Sequence, residues 1–144
     1  MPFSDMPFFN GKTMNTQQLI SEAHHARERA YAPYSKFKVG AAVLTKDGKV
    51  FHGCNVENAA YGMSICAERT AVVKAISEGA REFEAIAVVT ENAGTPCGAC
   101  RQFLSEFGSD IMVILADTSG NYTLATVGEL LPNAFEMKEK EKRD

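Results

Sequence analysis

The chain has 144 residues, 45% hydrophobic and 23% charged, with a net charge of −3. That length suits one domain able to fold without disulfide staples, and the composition excludes a disordered, collagenous or coiled-coil protein. The mildly acidic balance argues against a nucleic-acid partner, and the longest aliphatic run, Ile111-Met-Val-Ile-Leu-Ala116, falls well below the roughly 20 residues that cross a bilayer.

In chain order, residues 1–14 read as a flexible arm carrying Phe3, Phe8 and Phe9, without the basic and apolar regions of a secretory signal. Asn15 and Gln18 are a capping-box pair for a first helix. Its Leu19, Ile20, Ala23, Ala26 and Ala30 fall at helical spacing, and Pro33 stops it. Phe37–Thr45 and Lys49–Cys54 read as a hairpin, with Asp47-Gly48 as a two-residue turn. Gly62 loosens the chain before a second helix over Ser64–Ser77, with Gly79 as its C-terminal stop.

Phe83–Thr90 is a third strand. Thr95 and Pro96 lead into a third helix over Gly98–Phe107, and Ile111–Ala116 is a fourth strand. Asp117–Asn121 turns the chain into a fifth strand, Tyr122–Thr126, and Val127–Leu131 is a helical turn ended by Pro132. Residues 136–144 form a charged, solvated tail. Strands alternating with helices predict a sheet covered by helices, with the aliphatic third and fourth strands central and residues 15–135 as one domain.

Cysteines occur at 54, 66, 97 and 100. They are too sparse for a disulfide scaffold and point to a reducing cytoplasm. Pro96-Cys97-Gly98-Ala99-Cys100 puts two thiols on nearly one face of a helix start, where the helix N-terminus favours thiolates. Alone, this pair fits a redox dithiol, half of a structural zinc site, or part of a catalytic one. Cys66, also at a helix start, adds a third thiol, and Glu68 follows two residues later. Three ligands and a carboxylate beside an open fourth position describe a catalytic zinc site. There zinc lowers the pKa of its water and the carboxylate takes the proton. Cys66-x-Glu68 with Pro96-Cys97-x-x-Cys100 is the three-cysteine form of the H-x-E…P-C-x-x-C signature of zinc deaminases. Cys54 in the hairpin reads as a packing residue, and His24, His25 and His52 match no ligand spacing.

From about Tyr34 to Phe135 the chain resembles the small homotetrameric cytidine deaminases that act on free nucleosides. The likeness rests on Pro33-Tyr-Ser-Lys-Phe-Lys-Val-Gly-Ala-Ala42, Asn55-Val-Glu-Asn-Ala59, Cys66-Ala-Glu-Arg69, Pro96-Cys-Gly-Ala-Cys-Arg-Gln102 and Leu130-Leu-Pro-Asn-Ala-Phe135. The resemblance implies a mixed five-stranded sheet in a three-layer α/β/α fold. It implies one zinc ion per subunit on Cys66, Cys97 and Cys100, and Glu68 as the proton shuttle. Phe37 would pack on the pyrimidine, and Asn55 and Glu57 would hold the ribose hydroxyls. Ala67, Tyr61 and Phe135 complete the substrate set, with Tyr61 and Phe135 at subunit interfaces and Phe135 closing a neighbour's pocket. Arg69 would offset the charge of three thiolates, with Arg101 and Gln102 as lesser candidates. The expected reaction is hydrolytic deamination of cytidine and deoxycytidine in a cytoplasmic homotetramer, with neither nucleic acid nor membrane as partner. Two other readings fit parts of the pattern: a blasticidin-type deaminase of the same fold, and a CxxC thiol oxidoreductase that leaves Cys66 and Glu68 unexplained.

Overall fold

The computed structural model describes residues 14–137. The predicted arm lies outside them except for Met14, which packs on the core beside the first helix; of the predicted tail only Glu136 and Met137 are described.

Helix α1 spans Thr16–Arg27. Its cap is the expected box: Asn15 accepts from the Gln18 N–H and Gln18 accepts from the Asn15 N–H, both at 2.8 Å. The helix ends well before Pro33, and Ala30 lies beyond it. The chain leaves because Tyr31 is claimed elsewhere. Its N–H donates to Asn55 O at 2.9 Å, and its carbonyl accepts from the Glu57 N–H at 2.8 Å.

Strands β1 (Gly40–Thr45) and β2 (Val50–Cys54) pair antiparallel, Gly40 opposite Cys54 and Leu44 opposite Val50. β1 starts three residues later than predicted. The Phe37 carbonyl and the Val39 N–H bond to the side chain of Asn55, and of these two residues only the Val39 carbonyl continues the pairing, accepting from the Asn55 N–H at 3.2 Å. The hairpin also departs from the predicted two-residue turn. Thr45 accepts from Gly48 at 3.0 Å and donates to Lys49 O at 2.9 Å, with Gly48 at φ +95°, a tight turn followed by a left-handed residue.

A 3-10 turn over Tyr61–Met63 precedes α2, which spans Ala67–Ser77 rather than starting at Ser64. Ile65 instead forms a two-bond bridge with Val56, which leaves Cys66 extended as the helix N-cap. Gly79, at φ +103°, ends the helix as expected. β3 (Phe83–Val89), α3 (Gly98–Ser105), β4 (Met112–Ala116), β5 (Tyr122–Thr126) and α4 (Val127–Leu130) follow, each within two residues of its predicted bounds.

The sheet order is β2-β1-β3-β4-β5, with β3 and β4 parallel and every other pair antiparallel. β3 is central and β4 interior, as predicted. β1 is interior too, and all six of its residues are buried. Helices cover both faces, as expected of three layers. On one, Leu19, Ile20 and Ala23 of α1 meet Ala42, Leu44, Ala87 and Ile114. On the other, Ala71, Val72 and Ala75 of α2 and Leu104 of α3 meet Val43, Ile86, Val113 and Leu115. Each large apolar side chain so buried is worth about 1.5–3 kcal/mol. α2 lies close on β2 because residue 53 has no side chain: a Cβ on Gly53 would sit 2.4 Å from Ala71 N and 2.5 Å from Ala67 O. That contact fixes where the first turn of α2, with Cys66 and Glu68, stands relative to the sheet. No helix among the described residues is long and apolar enough to cross a membrane.

Candidate active site

Two helices begin at the site. Cys66 is the N-cap of α2 and Cys97 the N-cap of α3, both extended, and neither side chain caps its own helix. Their sulfurs are thus free to face each other, 3.8 Å apart. Cys100, fully buried one turn into α3, completes a cluster whose three Sγ atoms lie within 4.8 Å of one another. The Cys66–Cys97 separation is too long for a disulfide, about 2.05 Å, and matches the roughly 3.8 Å edge of a tetrahedron of zinc–sulfur bonds. Cys54 is not in the cluster, nor is any of the three histidines. His52 bonds Glu22 at 2.5 Å, tying β2 to α1.

The charges in the cluster suit a cation. The Cys66 thiol is lowered to about 5, chiefly by a hydrogen bond from Cys100, with Arg69 and Cys97 adding to it. The same bond, with burial, pushes the Cys100 thiol up. Protein groups alone therefore favour the thiolate at Cys66 and oppose it at Cys100, whereas a bound divalent metal would favour the thiolate form of its sulfur ligands. Arg69 reaches the same corner: its Nη2 lies 4.0 Å from Cys66 Sγ and donates to Ser64 O at 3.4 Å. Its Nε is buried with no partner. Three thiols, their spacing and the adjacent guanidinium fit zinc.

Glu68 is 4% exposed. Burial raises its carboxyl to about 7, and the nearby Cys66 adds to the rise. It lies with Ala67, Cys66 and Cys97 along a cleft of about 260 Å³. Phe37, Asn55, Glu57 and Tyr61 line the same cleft, and Val88 and Thr90, at the end of β3, contribute another wall.

The polar residues of the outer wall already hold one loop. Asn55 accepts from the Val39 N–H at 2.9 Å and donates to Phe37 O at 2.8 Å. Glu57 accepts from the Tyr34 and Ser35 N–H groups at 3.0 and 3.1 Å and from the Ser35 hydroxyl. These bonds, the hydroxyl first, hold its carboxyl below the usual glutamate range. One amide N–H of Asn55 and part of the Glu57 carboxylate are left for a ligand.

Phe135 does not line this chain's cleft. It is 72% exposed, and its carbonyl accepts from Gln102 Nε2 at 3.1 Å. Arg101 bonds Pro96 O and Leu130 O rather than a thiol. The sequence did not single out Ser35, which binds Glu57, or Thr90, whose hydroxyl accepts from Gly94 N–H at 2.9 Å and shapes the loop before Pro96. The small polar residues around that loop were its only signal.

Residues 13–116 match the family model described as the cytidine and deoxycytidylate deaminase zinc-binding region. The chain therefore belongs to that family of zinc-binding deaminases. It is 52% identical over 129 residues to the cytidine deaminase of Sporosarcina psychrophila, covering 88% of this chain and 95% of that one. It is 55% identical over 125 residues to that of Halalkalibacterium halodurans, covering 85% and 95%. The crystal structure of cytidine deaminase from Burkholderia pseudomallei has the same fold, at a TM-score of 0.82 and 56% identity over 85% of this chain and all of that one. The blasticidin-S deaminase of Bacillus cereus is more distant, at 30% identity over 134 residues, 84% of this chain and 95% of that one.

Proposed function

We propose that the protein hydrolyses cytidine and deoxycytidine to uridine and deoxyuridine, releasing ammonia, as a step in pyrimidine salvage. The observation that carries this is a buried carboxyl, Glu68, beside three clustered thiols in a nucleoside-sized cleft. Cys66, Cys97 and Cys100 would hold one zinc ion per subunit, with Arg69 offsetting part of the thiolate charge. When bound, zinc would lower the pKa of a water in the cleft. Glu68 takes a proton from the water as its oxygen adds to C4 of cytosine, and passes that proton to N3 of the ring. It then carries the second proton, from the hydroxyl now on C4, to the exocyclic amine; the C4–N bond breaks, C4=O forms and ammonia leaves. One carboxylate serves as base and acid because the proton it gives is the one it took, and burial keeps that proton from bulk water. Phe37 packs on the pyrimidine, Ala67 backs the base beside Glu68, and Asn55 and Glu57 use their remaining bonding capacity on the ribose.

We further read the protein as a cytoplasmic homotetramer. The four unpaired cysteines suit a reducing compartment. Tyr61, Met63 and Phe135 expose 81%, 72% and 72% of their surface, an apolar display that a partner subunit would cover. Phe135 of one subunit then closes the cleft of the next. A light-scattering mass near that of one chain overturns the assembly.

The decisive experiment is uridine formation from cytidine by the wild type and by Glu68→Gln. Turnover should fall about 10²–10⁴-fold in the variant, with zinc retained. A folded, zinc-loaded wild type that leaves cytidine untouched overturns the substrate assignment.

A further inference from the structure

Arg101 and Gln102 follow a zinc-ligand position directly, yet the chemistry above gives them nothing to do. We propose that Arg101 is a positioning residue for Cys97, bracing the loop that carries this thiol against the C-terminal segment. The inference rests on the zinc-binding reading of the three thiols.

Cys100 is buried in the cluster, while the next two side chains turn to the backbone around it. Arg101 Nε donates to Pro96 O at 2.9 Å, and its Nη1 donates to Leu130 O at 2.9 Å. Gln102 Nε2 adds a bond to Phe135 O at 3.1 Å. Pro96 is buried and immediately precedes Cys97. The Arg101 backbone N–H donates to Cys97 O at 3.0 Å. The turn at 96–97 is therefore held twice by one residue, through its main chain and its side chain.

Cys97 needs this support. It is an exposed N-cap, its own side chain makes no capping bond, and the residue after it is glycine. The loop before it, from Glu91, is largely free of regular structure. Leu130 ends α4, so its carbonyl has no partner within that helix and accepts the second arm of the guanidinium. A planar fork satisfies two carbonyls in fixed directions at once; an ammonium does not.

The test is the rate at which zinc-loaded protein gives up its metal to a chromogenic chelator, read alongside the thermal midpoint. Arg101→Ala should release zinc about 10–100-fold faster than wild type, the usual cost of losing a residue that supports a metal ligand. Arg81→Ala is the control. Arg81 Nη1 also donates to backbone carbonyls, Ile76 O at 3.0 Å and Ala80 O at 2.7 Å, but at the C-terminal end of α2, opposite the end that carries Cys66. Its loss should leave the release rate at the wild-type value. Should Arg101→Ala fail to fold, Arg101→Lys carries the test, because an ammonium lacks the planar fork that meets both carbonyls in their fixed directions; faster release supports the brace. Wild-type release from the folded Arg101 variant, or equal acceleration in Arg81→Ala, overturns the proposal. A wild type that binds no zinc overturns the zinc reading beneath it.

Discussion

The side-chain amide of Asn55 donates to the carbonyl of Phe37 at 2.8 Å, across the gap between the end of β2 and the loop ahead of β1. Its oxygen accepts from Val39, so one carboxamide sets both the height and the tilt of the segment that carries the aromatic ring. A residue expected to hold the ribose is thus also the anchor of the one expected to hold the base.

Asn55→Ala should therefore raise KM for cytidine more than it lowers kcat. Two hydrogen bonds disappear, leaving backbone groups to find new partners at a cost of about 1–3 kcal/mol. Asn55→Asp should be worse at the Phe37 end. It keeps the acceptor for Val39 but sets a carboxylate against the Phe37 carbonyl. Steady-state kinetics on the two variants check this; an unchanged KM in both would remove Asn55 from the substrate side of the site.

Chelation should expose three further thiols. On the proposed zinc site Cys66, Cys97 and Cys100 would be shielded by the metal, leaving Cys54, half-buried and outside the cluster, as the remaining candidate for modification. Counting reactive thiols before and after chelator reads the number directly, and Cys54→Ser should bind zinc as the wild type does. The thermal midpoint should drop on chelation, since a ligand at 100 times its Kd stabilises the folded state by about 2.7 kcal/mol. A gain of two thiols would point back to a simple Cys97–Cys100 pair.

Glu57 predicts an acid-side effect. Its folded-state pKa is depressed, first by the Ser35 hydroxyl and then by backbone N–H groups. A depressed carboxyl contributes stability above its unfolded pKa and loses it as pH falls through the folded value. The gap in thermal midpoint between wild type and Glu57→Gln should be present near neutrality and close in acid. Ser35→Ala removes the largest cause of the depression, so the gap at neutrality should be smaller and its loss complete at higher pH. The effect will be small because the group faces solvent. A gap independent of pH would contradict the assignment.

What the sequence made legible was local. The Asn15–Gln18 box, the stop at Gly79 and the fifth strand were each decided within a few residues. The thiol cluster and the buried Glu68 beside it were legible because they are concentrated at two helix starts, at 66–68 and 96–100. The elements that shifted did so through distant partners. Ile65 looked like helix and became a bridge because Val56 lies across from it. Phe37 looked like strand and became loop because Asn55 takes its carbonyl. Ala30 fell outside α1 because Tyr31 pairs with the chain after β2. Arg101 was open as a thiolate partner, and its acceptors, 5 and 29 residues away, could not be read from spacing.

The central strand carries a consequence for how relatives of this chain can change length. Along β3, Ala85, Ala87 and Val89 form the seat of α1, while Ile86 and Val88 face the α2 and α3 layer, and Val88 walls the cleft. Gaining or losing one residue there would exchange the two sets and spoil the helix seat and the cleft wall in a single event. Substitutions in β3 can be absorbed one at a time; frame slips cannot. Insertions and deletions should therefore collect at the turns over 46–49 and 117–121, where an extra residue changes neither face of the sheet.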